Sequence, residues 1–395
     1  MLVLTADRII TGDGKTVIEN AYVKLDDNGI IAEAGEKTGF KVQNTDVFVN
    51  YEGCSIMPGL FDMHVHLANW WKLPDKVFYN DYLIALYSAN NMKTALSKGI
   101  TTVRDVMSPN ALMKSLKYAV KSKFIQAPRI FHTNQAITPT GGHCHDNHGS
   151  VVIADGVENV RSAVRLQVRE GADWVKAMGN HADKIDYTLE EMSAIVNEVH
   201  RLGKKCCVHA SITDAIEIAI EAGADTIEHG TFMTEKQAEK LVKTGQVWVP
   251  TLSAYFYWSE KIEKDLNDPN ATAEALAFAN ELQGFIAKGV KTFTANLKKY
   301  YDMGVKIVTG SDIIAAAADY ELKLMCQLGL PPLRAIECAT SAAAEVCGIG
   351  NTVGKIAANY LGDILVVKGN PLADINAINN VREVYQEGKS VYTNP

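Results

Sequence analysis

Hydrophobic and polar positions divide the chain into two β-rich ends and a middle of different texture. Short apolar runs separated by Gly, Asp and Asn turns fill the first 57 residues, and the same texture returns from about residue 355. The strands predicted at these ends cover residues 2–4, 8–10, 21–25, 30–34, 47–50, 363–367 and 381–384. We therefore predict a small β-sandwich domain assembled from residues 1–57 and 355–395, that is, from both chain termini.

Between these ends, short apolar runs alternate with longer helical patterns, which is typical of repeated βα units. Helical periodicity covers residues 189–202 and 215–222, and the 260–300 region is also predicted to be helical. The strand candidates cover residues 55–65, 101–106, 129–135, 174–178, 205–209, 226–229, 247–252 and 306–309. Eight βα repeats match the size of a (β/α)8 TIM barrel, so the predicted fold class is α/β with this barrel at residues 58–354.

Composition and charge narrow the class of protein. Apolar residues make up 47% of the 395 residues and charged residues 22%, as in ordinary globular proteins. The net charge is −7 and no basic patch is found, which argues against a nucleic-acid partner. No apolar run is long enough to span a bilayer, so no membrane association is expected. The seven cysteines include no Cys-x-x-Cys pair, and reduced cysteines in a cytoplasmic protein are the simplest interpretation.

Side chains that can bind metal ions fall at the carboxyl ends of the predicted barrel strands. His64 and His66 lie two positions apart on strand one, so both point to the same face. The other candidates lie at or after the ends of later strands and are Lys176, His209, His229 and Asp312. Because barrel active sites are built at this end of the strands, these residues are expected to converge on one point.

Taken singly, each of these residues has a plainer interpretation. A lone His at a strand end is more often a satisfied polar residue than a ligand, and an Asp after a strand usually caps a helix. Lys176 could be an ammonium group at the barrel mouth that pairs with an acid. A buried lysine is costly, however, and six such residues at equivalent strand ends are hard to obtain by chance. The joint placement favours a metal site.

The residue types indicate two divalent ions, with Zn²⁺ as the first choice, joined by a bridging anion. Imidazole and carboxylate groups suit zinc. A protonated lysine cannot bridge two cations, whereas a carbamate formed from Lys176 and CO₂ (N6-carboxylysine) has one oxygen for each ion. Asp312 could hold one ion and also accept a proton from the bridging water, as a general base must.

Taken together, these residues resemble a known family. The Pro-Gly-Leu-Phe-Asp-Met-His-Val-His run at residues 58–66, followed in order by Lys176, His209, His229 and Asp312, resembles the binuclear amidohydrolase superfamily over essentially the whole chain. Three further segments, at residues 141–146, 249–252 and 310–312, are similar to its branch of Xaa-Arg/Lys/Pro dipeptidases and zinc-dependent arginine carboxypeptidases, which is related to imidazolonepropionase.

The resemblance implies a role for each matching residue. The buried metal would be held by His64, His66, Lys176 and Asp312, and the exposed metal by Lys176, His209 and His229. Asp312 would carry a proton from the bridging hydroxide to the leaving amine. His143 would contact the scissile carbonyl oxygen or the substrate carboxylate. A homo-oligomer is also expected, from the resemblance alone.

The loop at residues 141–149 is predicted to line the substrate pocket. It holds His143, His145, Asp146 and His148, and Asp146 could attract a cationic side chain of the substrate. The alternative is a surface loop with incidental histidines.

Aromatic and charged residues at other strand ends are open to two interpretations. Tyr255 could hydrogen-bond a substrate carboxylate. The neighbouring aromatics are equally suited to packing the barrel rim or an oligomer interface; they are Trp70, Trp71, Tyr257 and Trp258. Arg104 and Asp105 are predicted to form a structural ion pair, with an anionic substrate group as the alternative partner of Arg104.

The predicted function is hydrolysis of an amide bond in a small-molecule substrate. The reaction would release a C-terminal amino acid, with Arg or Lys as the first expectation, from a dipeptide or an N-acyl amino acid. One alternative is a hydrolase of a cyclic amide, an imidazolone or a lactone. Another is a non-catalytic scaffold that kept the barrel, and the presence of all six ligand candidates argues against it.

Overall fold

The chain begins with strands that pair with one another outside the barrel. The computed structural model describes residues 1–38, 40, 46–68, 80–147, 149–312 and 316–394. The first strands are β1 (Leu2–Ile10), β2 (Val17–Leu25), β3 (Ile31–Glu36) and β4 (Val47–Pro58). β1 pairs with β2 in antiparallel and with β4 in parallel orientation. The predicted strands 2–4 and 8–10 are therefore one strand, whose pairing with β4 shifts register between Ala6 and Arg8.

The strands of the middle region are short, and most of them run parallel to their neighbours. They are β5 (Leu60–Val65), β6 (Ile100–Asp105), β7 (Arg129–His132), β8 (Ala136–Thr138), β9 (Val151–Ile153), β10 (Trp174–Met178), β11 (Asn180–His181), β12 (Lys184–Ile185), β13 (Lys205–Ala210), β14 (Thr226–His229), β15 (Val247–Val249) and β16 (Lys306–Ile307). β11 and β12 form a small antiparallel hairpin directly after β10.

Helices separate most of these strands, as βα units require. They are α1 (Asp81–Ser97), α2 (Leu112–Lys121), α3 (Val157–Arg169), α4 (Leu189–Arg201), α5 (Thr213–Glu221), α6 (Glu235–Thr244), α7 (Leu252–Asn267), α8 (Ala273–Asp302), α9 (Ala318–Gln327), α10 (Pro332–Cys338) and α11 (Ser341–Val346). Capping boxes begin α4 at Thr188 and α6 at Thr234, where each Thr accepts from the backbone N–H three residues later. The predicted helices 189–202 and 215–222 correspond to α4 and α5.

The parallel strands form two hydrogen-bonded groups, and the smaller group is joined to the larger one on both of its sides. One group has the order β5-β6-β7 and the other the order β16-β15-β14-β13-β10-β8-β9. They are joined on one side by the hydrogen bond from Asp173 N to His132 O at 2.9 Å. On the other side Met63 N donates to Thr309 O at 2.9 Å, and Val65 pairs in parallel with Asp312. This arrangement is consistent with the predicted barrel.

The carboxyl end of the chain returns to the first strands. Its elements are β17 (Ile364–Lys368), a 3₁₀ helix (Ile375–Asn379), β18 (Val381–Gln386) and β19 (Lys389–Thr393). β17 pairs with β4, so that in the described residues both termini share one seven-stranded sheet of order β19-β18-β17-β4-β1-β2-β3. Leu4, Ile56 and Ile364 belong to one buried cluster within it. The two-layer sandwich form and the domain boundaries at residues 57/58 and 354/355 stay predictions.

Several predicted strands are divided in the structure for local reasons. Residues 55–65 change from β4 to β5 at Gly59, where a Cβ atom would lie 2.3 Å from the Thr101 hydroxyl oxygen. Residues 129–135 contain β7 but end before β8. Residues 247–252 leave the strand after Val249, because Thr251 adopts a left-handed φ of 50° and Leu252 begins α7.

The longest helix, α8, has 30 residues, but it carries many polar side chains on its surface. Within the described ranges, no helix is both long and apolar enough to cross a membrane.

Candidate active site

The site is built around a carboxylate that faces histidines at the end of β5. Nε2 of His66 lies 3.0 Å from Oδ1 of Asp312, and Nε2 of His64 lies 3.6 Å from the same oxygen. The second carboxylate oxygen, Oδ2, lies 3.9 Å from Nδ1 of His229. His64, His229 and Asp312 each offer a donor atom within 4.8 Å of the others. Strands β5 and β14 and the segment after β16 thus bring three predicted ligands together.

A row of imidazole rings extends this group toward the loop after β8. The ring centroids of His229 and His209 are 4.5 Å apart, and the His209 ring stacks on that of His143 at 4.2 Å. His209 therefore lies between the group at Asp312 and His143, which was predicted to contact the scissile carbonyl oxygen or the substrate carboxylate.

Lys176 lies on β10, whose side chains alternate between the barrel interior and the surrounding helices. Its register partner on β13 is Cys207, while Met178 pairs with His209. The side chain is 1% exposed, and among the described residues no carboxylate lies within ion-pair distance of its ammonium nitrogen. An acid partner, which was the plainer interpretation of this lysine, is therefore absent from the described part of the chain.

The electrostatics of the histidines favour neutral rings. Burial, together with the charge of Lys176, lowers the pKa of His143 and of His229 to about 4. The same two causes hold the pKa of His64 and of His209 well below the ordinary histidine value. A neutral imidazole has a free lone pair and is the form that can bind a metal ion.

The charge of Asp312 is stabilised by its neighbours. Burial acts to raise the pKa of its carboxyl group, but His64, His66 and His229 outweigh it and hold the pKa well below the ordinary Asp range. Asp312 is therefore a carboxylate that can both ligate a cation and accept a proton.

Three residues at this site adopt left-handed backbone conformations that side chains normally avoid. The φ angles are 61° at Asp312, 66° at His229 and 50° at Thr251. Such positions cost about 1–3 kcal/mol each and cluster at functional sites. Hydrogen bonds hold them: Asp312 N donates to His64 O at 2.6 Å, and Nδ1 of His229 lies 2.7 Å from Oγ1 of Thr251.

Asp62 supports the segment that carries Asp312, a role that the sequence interpretation did not assign. Its buried carboxylate accepts hydrogen bonds from Ser311 N at 2.9 Å, from Ser311 Oγ at 2.6 Å and from Ala317 N at 3.2 Å. Burial raises the pKa of Asp62 to about 6, although these hydrogen bonds act to lower it. A carboxylate in the middle of an apolar strand was the available signal.

The predicted ion pair between Arg104 and Asp105 is wrong. Neighbours on a strand point to opposite faces, so the two side chains diverge. Arg104 donates from Nη2 to Glu228 Oε1 at 2.8 Å, whereas Asp105 accepts from Ser108 Oγ at 2.6 Å and from Leu67 N at 2.8 Å. Arg104 is fully buried against its partner and is not placed to meet a substrate.

The loop after β8 separates its predicted substrate residues into two groups. His143 lies at the histidine row, and its backbone N–H donates to Asp186 Oδ2 at 3.0 Å. Asp146 and His145 instead form a pair 2.9 Å apart, with side chains 85% and 41% exposed. Asp146 therefore faces solvent, with its charge directed at His145. His148 lies outside the described residues.

His181 was missed by the sequence interpretation. It lies on the hairpin β11–β12, and its ring centroid is 5.8 Å from that of His143. The hairpin is tied to the site because Asp186 N donates to Gly179 O and Gly179 N donates to His209 O. The available signal was a histidine five positions after Lys176 in an otherwise polar segment.

Tyr255 is buried beside the site rather than open to it. Its hydroxyl oxygen lies 2.5 Å from Oγ1 of Thr231 and 3.4 Å from Oγ of Ser211, and burial raises its pKa to about 12. Tyr257 and Trp258 contact each other on α7, with ring centroids 5.6 Å apart. Trp70 and Trp71 lie outside the described residues.

The donor set fits a divalent metal ion. Zinc binds imidazole nitrogen and carboxylate oxygen at about 2.0–2.2 Å, so ligand atoms around one ion lie roughly 3–3.5 Å apart. The separations of 3.0 and 3.6 Å from Asp312 Oδ1 to Nε2 of His66 and of His64, which are assigned to the same ion, are close to this range. The neutral rings fit the same chemistry, and so does Lys176, which has no acid partner within the described ranges. The ligand roles of the six predicted residues stay predictions.

Comparison with known proteins identifies relatives over the whole chain. The sequence profile described as "Amidohydrolase family" matches residues 55–391. The ochratoxinase of Aspergillus niger is 27% identical, and the alignment covers 98% of this chain and 84% of that enzyme. The enamidase of Eubacterium barkeri is 23% identical over 56% of this chain and 54% of its own length.

Solved structures of dipeptide-cleaving enzymes are also similar to this chain over its full length. A Xaa-Pro dipeptidase with methionine bound in its active site is similar with a TM-score of 0.88 and 28% identity, with all of both chains covered. A prolidase in complex with N-methylphosphonate-L-proline is similar with a TM-score of 0.85 and 27% identity, again over all of both chains.

Proposed function

Because the chain belongs to the amidohydrolase family and is a hydrolase of C–N bonds, we propose that it releases the C-terminal amino acid of dipeptides or N-acyl amino acids. In this proposal the enzyme uses two divalent metal ions. The observation that carries the proposal is the placement of Lys176, a fully buried amine near four histidines with no carboxylate partner among the described residues. An uncompensated ammonium there would be costly.

Carboxylation of Lys176, together with the metal ions that the carbamate would hold, would replace this uncompensated cation with a compensated anion. The neutral amine attacks CO₂, a C–N bond forms and a proton is released, leaving a carbamate with two oxygens. The group changes from a cation to an anion, which suits a position where cations are to be held. In this proposal one ion, most readily Zn²⁺, would be held by His64, His66, Lys176 and Asp312. The other ion would be held by Lys176, His209 and His229.

When bound, the two ions supply a water that is acidic enough to attack at neutral pH, and they polarise the scissile carbonyl. The Asp312 carboxylate accepts the proton of the attacking water and returns it to the leaving amine. His143, next to His209, hydrogen-bonds the carbonyl oxygen or the carboxylate of the substrate. Asp62 keeps the Asp312 segment in place through its bonds to Ser311.

The similarity to a Xaa-Pro dipeptidase and to a prolidase supports a dipeptide substrate. The preference for a C-terminal Arg or Lys rests on the family branch alone, because Asp146 is 85% exposed and pairs with His145. We therefore propose release of a C-terminal amino acid without restricting it to basic residues. A homo-oligomeric state and a cytoplasmic location stay predictions.

A library of dipeptides and N-acyl amino acids that vary only in the C-terminal residue tests this function. We expect hydrolysis of at least one class with the metal-loaded protein, and its loss in Asp312→Asn. If no dipeptide or N-acyl amino acid is cleaved while a cyclic amide, an imidazolone or a lactone is opened, the peptidase proposal is wrong.

A further inference from the structure

A chain of buried charged groups lies behind His64, on the side of the ring away from Asp312. Arg104 and Glu228 are both 0% exposed, and Arg104 Nη2 lies 2.8 Å from Glu228 Oε1. The other carboxylate oxygen, Oε2, lies 2.6 Å from Nδ1 of His64. We propose that Glu228 and Arg104 are positioning residues that keep the proton of His64 on Nδ1, so that the Nε2 lone pair faces the metal position. This rests on the proposed function.

The two nitrogens of the His64 ring face different carboxylates. Nδ1 is directed at Glu228, and Nε2 is directed at Asp312 at 3.6 Å. An ionised carboxylate can only accept hydrogen bonds, so the nitrogen in the shorter contact must be the donor. The neutral ring then carries its free lone pair on Nε2, on the side of Asp312. The partner of the non-ligating nitrogen commonly decides in this way which nitrogen binds a metal.

Arg104 fixes the carboxylate in turn. Its guanidinium group donates from Nε to Met63 O at 2.6 Å and from Nη1 to Thr226 Oγ1 at 3.1 Å, in addition to its bond with Glu228. The Thr226 hydroxyl also donates to Glu228 Oε1. The guanidinium carbon lies 4.5 Å from the centre of the Trp174 ring. A lysine could not make these bonds in three directions, because only the guanidinium group has this planar set of donors.

The cost of this arrangement indicates that it serves the site. Burying an arginine and a glutamate is unfavourable, and well-packed apolar residues of similar volume often give equal or greater stability. The pair therefore contributes little net stability to the barrel. Glu228 contacts the predicted ligand His64 directly, at 2.6 Å from Nδ1, so the pair is placed to orient the His64 ring.

The variant Glu228→Gln separates orientation from packing. Glutamine has nearly the same shape, but beside Arg104 its amide oxygen will turn toward the guanidinium group and its NH₂ toward His64. Nδ1 must then accept a hydrogen bond, and the proton moves to Nε2, where it blocks ligation. Substituting such hydrogen-bond partners of metal ligands typically weakens metal binding 10–100-fold.

The experiment is a Zn²⁺ titration of the full-length protein, stripped with a chelator, in competition with a chromophoric chelator. We expect Glu228→Gln to bind one of the two ions about 10–100-fold more weakly while it stays folded at the temperature of the titration. Its metal-free form should unfold at a lower temperature than the wild type, because Arg104 loses its buried counter-charge. The matched control is Glu198→Gln on helix α4, which removes another carboxylate, 6% exposed, from its two arginine partners, Arg165 and Arg201. This control should bind both ions like the wild type.

The outcomes distinguish this inference from the proposed function. If the wild type binds two ions and Glu228→Gln binds both with unchanged affinity, the positioning role is overturned while the hydrolase proposal stands. If the wild type binds no zinc, both fail. Should Glu228→Gln not fold, Thr226→Val removes one hydrogen bond to Glu228 and should weaken zinc binding roughly fivefold; unchanged affinity would again overturn the role.

Discussion

Nε2 of His66 lies 3.0 Å from Oδ1 of Asp312, although the two residues follow the first and the last strand of the barrel wall. The same place is where the barrel closes, since Asp312 N donates to His64 O at 2.6 Å and Val65 pairs with Asp312. Closure of the barrel and assembly of the site therefore both depend on Asp312. A substitution that changes only the Asp312 carboxylate should affect the site and leave the backbone contacts that close the barrel in place.

Asp312→Asn is expected to abolish most activity without unfolding the protein. The amide keeps the size of the side chain and the backbone bonds to His64 and Val65, but it cannot accept a proton from water. Loss of a general base typically reduces turnover about 10²–10⁴-fold. Steady-state kinetics on a substrate found in the library, with circular dichroism as a folding check, measures this. Retention of more than a tenth of wild-type turnover would contradict the assigned role.

Lys176→Ala is expected to lose the two-metal site. Without a carbamate, about one zinc equivalent or less should remain per chain, and hydrolysis should cease; metal analysis by mass spectrometry measures the former. Added acetate or propionate, which supplies a carboxylate to the space left by the side chain, should restore part of the activity.

The matched control is Lys205→Ala. Lys205 lies on the neighbouring strand β13, where its ammonium group donates to Val346 O at 2.6 Å, away from the histidine row. This variant should keep both metal equivalents. Two equivalents and full activity in Lys176→Ala would show that the carbamate proposal is wrong.

His143→Ala and His145→Ala should differ although the residues are two positions apart. The His143 ring stacks on His209 at 4.2 Å, whereas His145 is 41% exposed and pairs with Asp146. Removing a hydrogen-bond donor to a developing oxyanion costs about 10²–10³ in kcat. We expect such a loss in His143→Ala and less than a threefold change in His145→Ala. Equal effects of the two variants on kcat would contradict the separation of the loop into two groups.

The positions of the predicted metal ligands could be read from the sequence because parallel strands make their carboxyl ends coincide. Alternation then places His64 and His66 on one face, and strand-end residues such as His209 and His229 beside them. The strand ends themselves were less accurate. Thr251 turns the chain into α7 through a left-handed conformation, and nothing in the strand pattern of residues 247–252 indicates that turn.

The partners of buried polar groups could not be read from the sequence in the same way. Arg104 was assigned to its neighbour Asp105, but its guanidinium group reaches across the barrel to Glu228 on β14. Asp146 was assigned to the substrate, yet the loop turns it outward. Strand periodicity specifies the face on which a residue lies, whereas pairing across the barrel depends on side-chain length and on the stagger between strands.

Glu198 gives the chain a pH-dependent contribution to stability that is independent of the site. Hydrogen bonds from Arg201 and Arg165 lower the pKa of its carboxyl group from 4.5 to about 2 in the folded protein. A carboxyl whose pKa is depressed by folding stabilises the protein above its unfolded pKa and loses this contribution as pH falls toward the folded pKa.

The difference in unfolding free energy between wild type and Glu198→Gln should therefore be constant above about pH 5 and shrink between pH 4.5 and pH 2. Urea denaturation of both proteins at several pH values measures it, and because both arginines are largely exposed, added salt should reduce the difference. A difference that stays the same down to pH 3 would show that the Glu198 charge contributes nothing and that only the shape of its side chain matters.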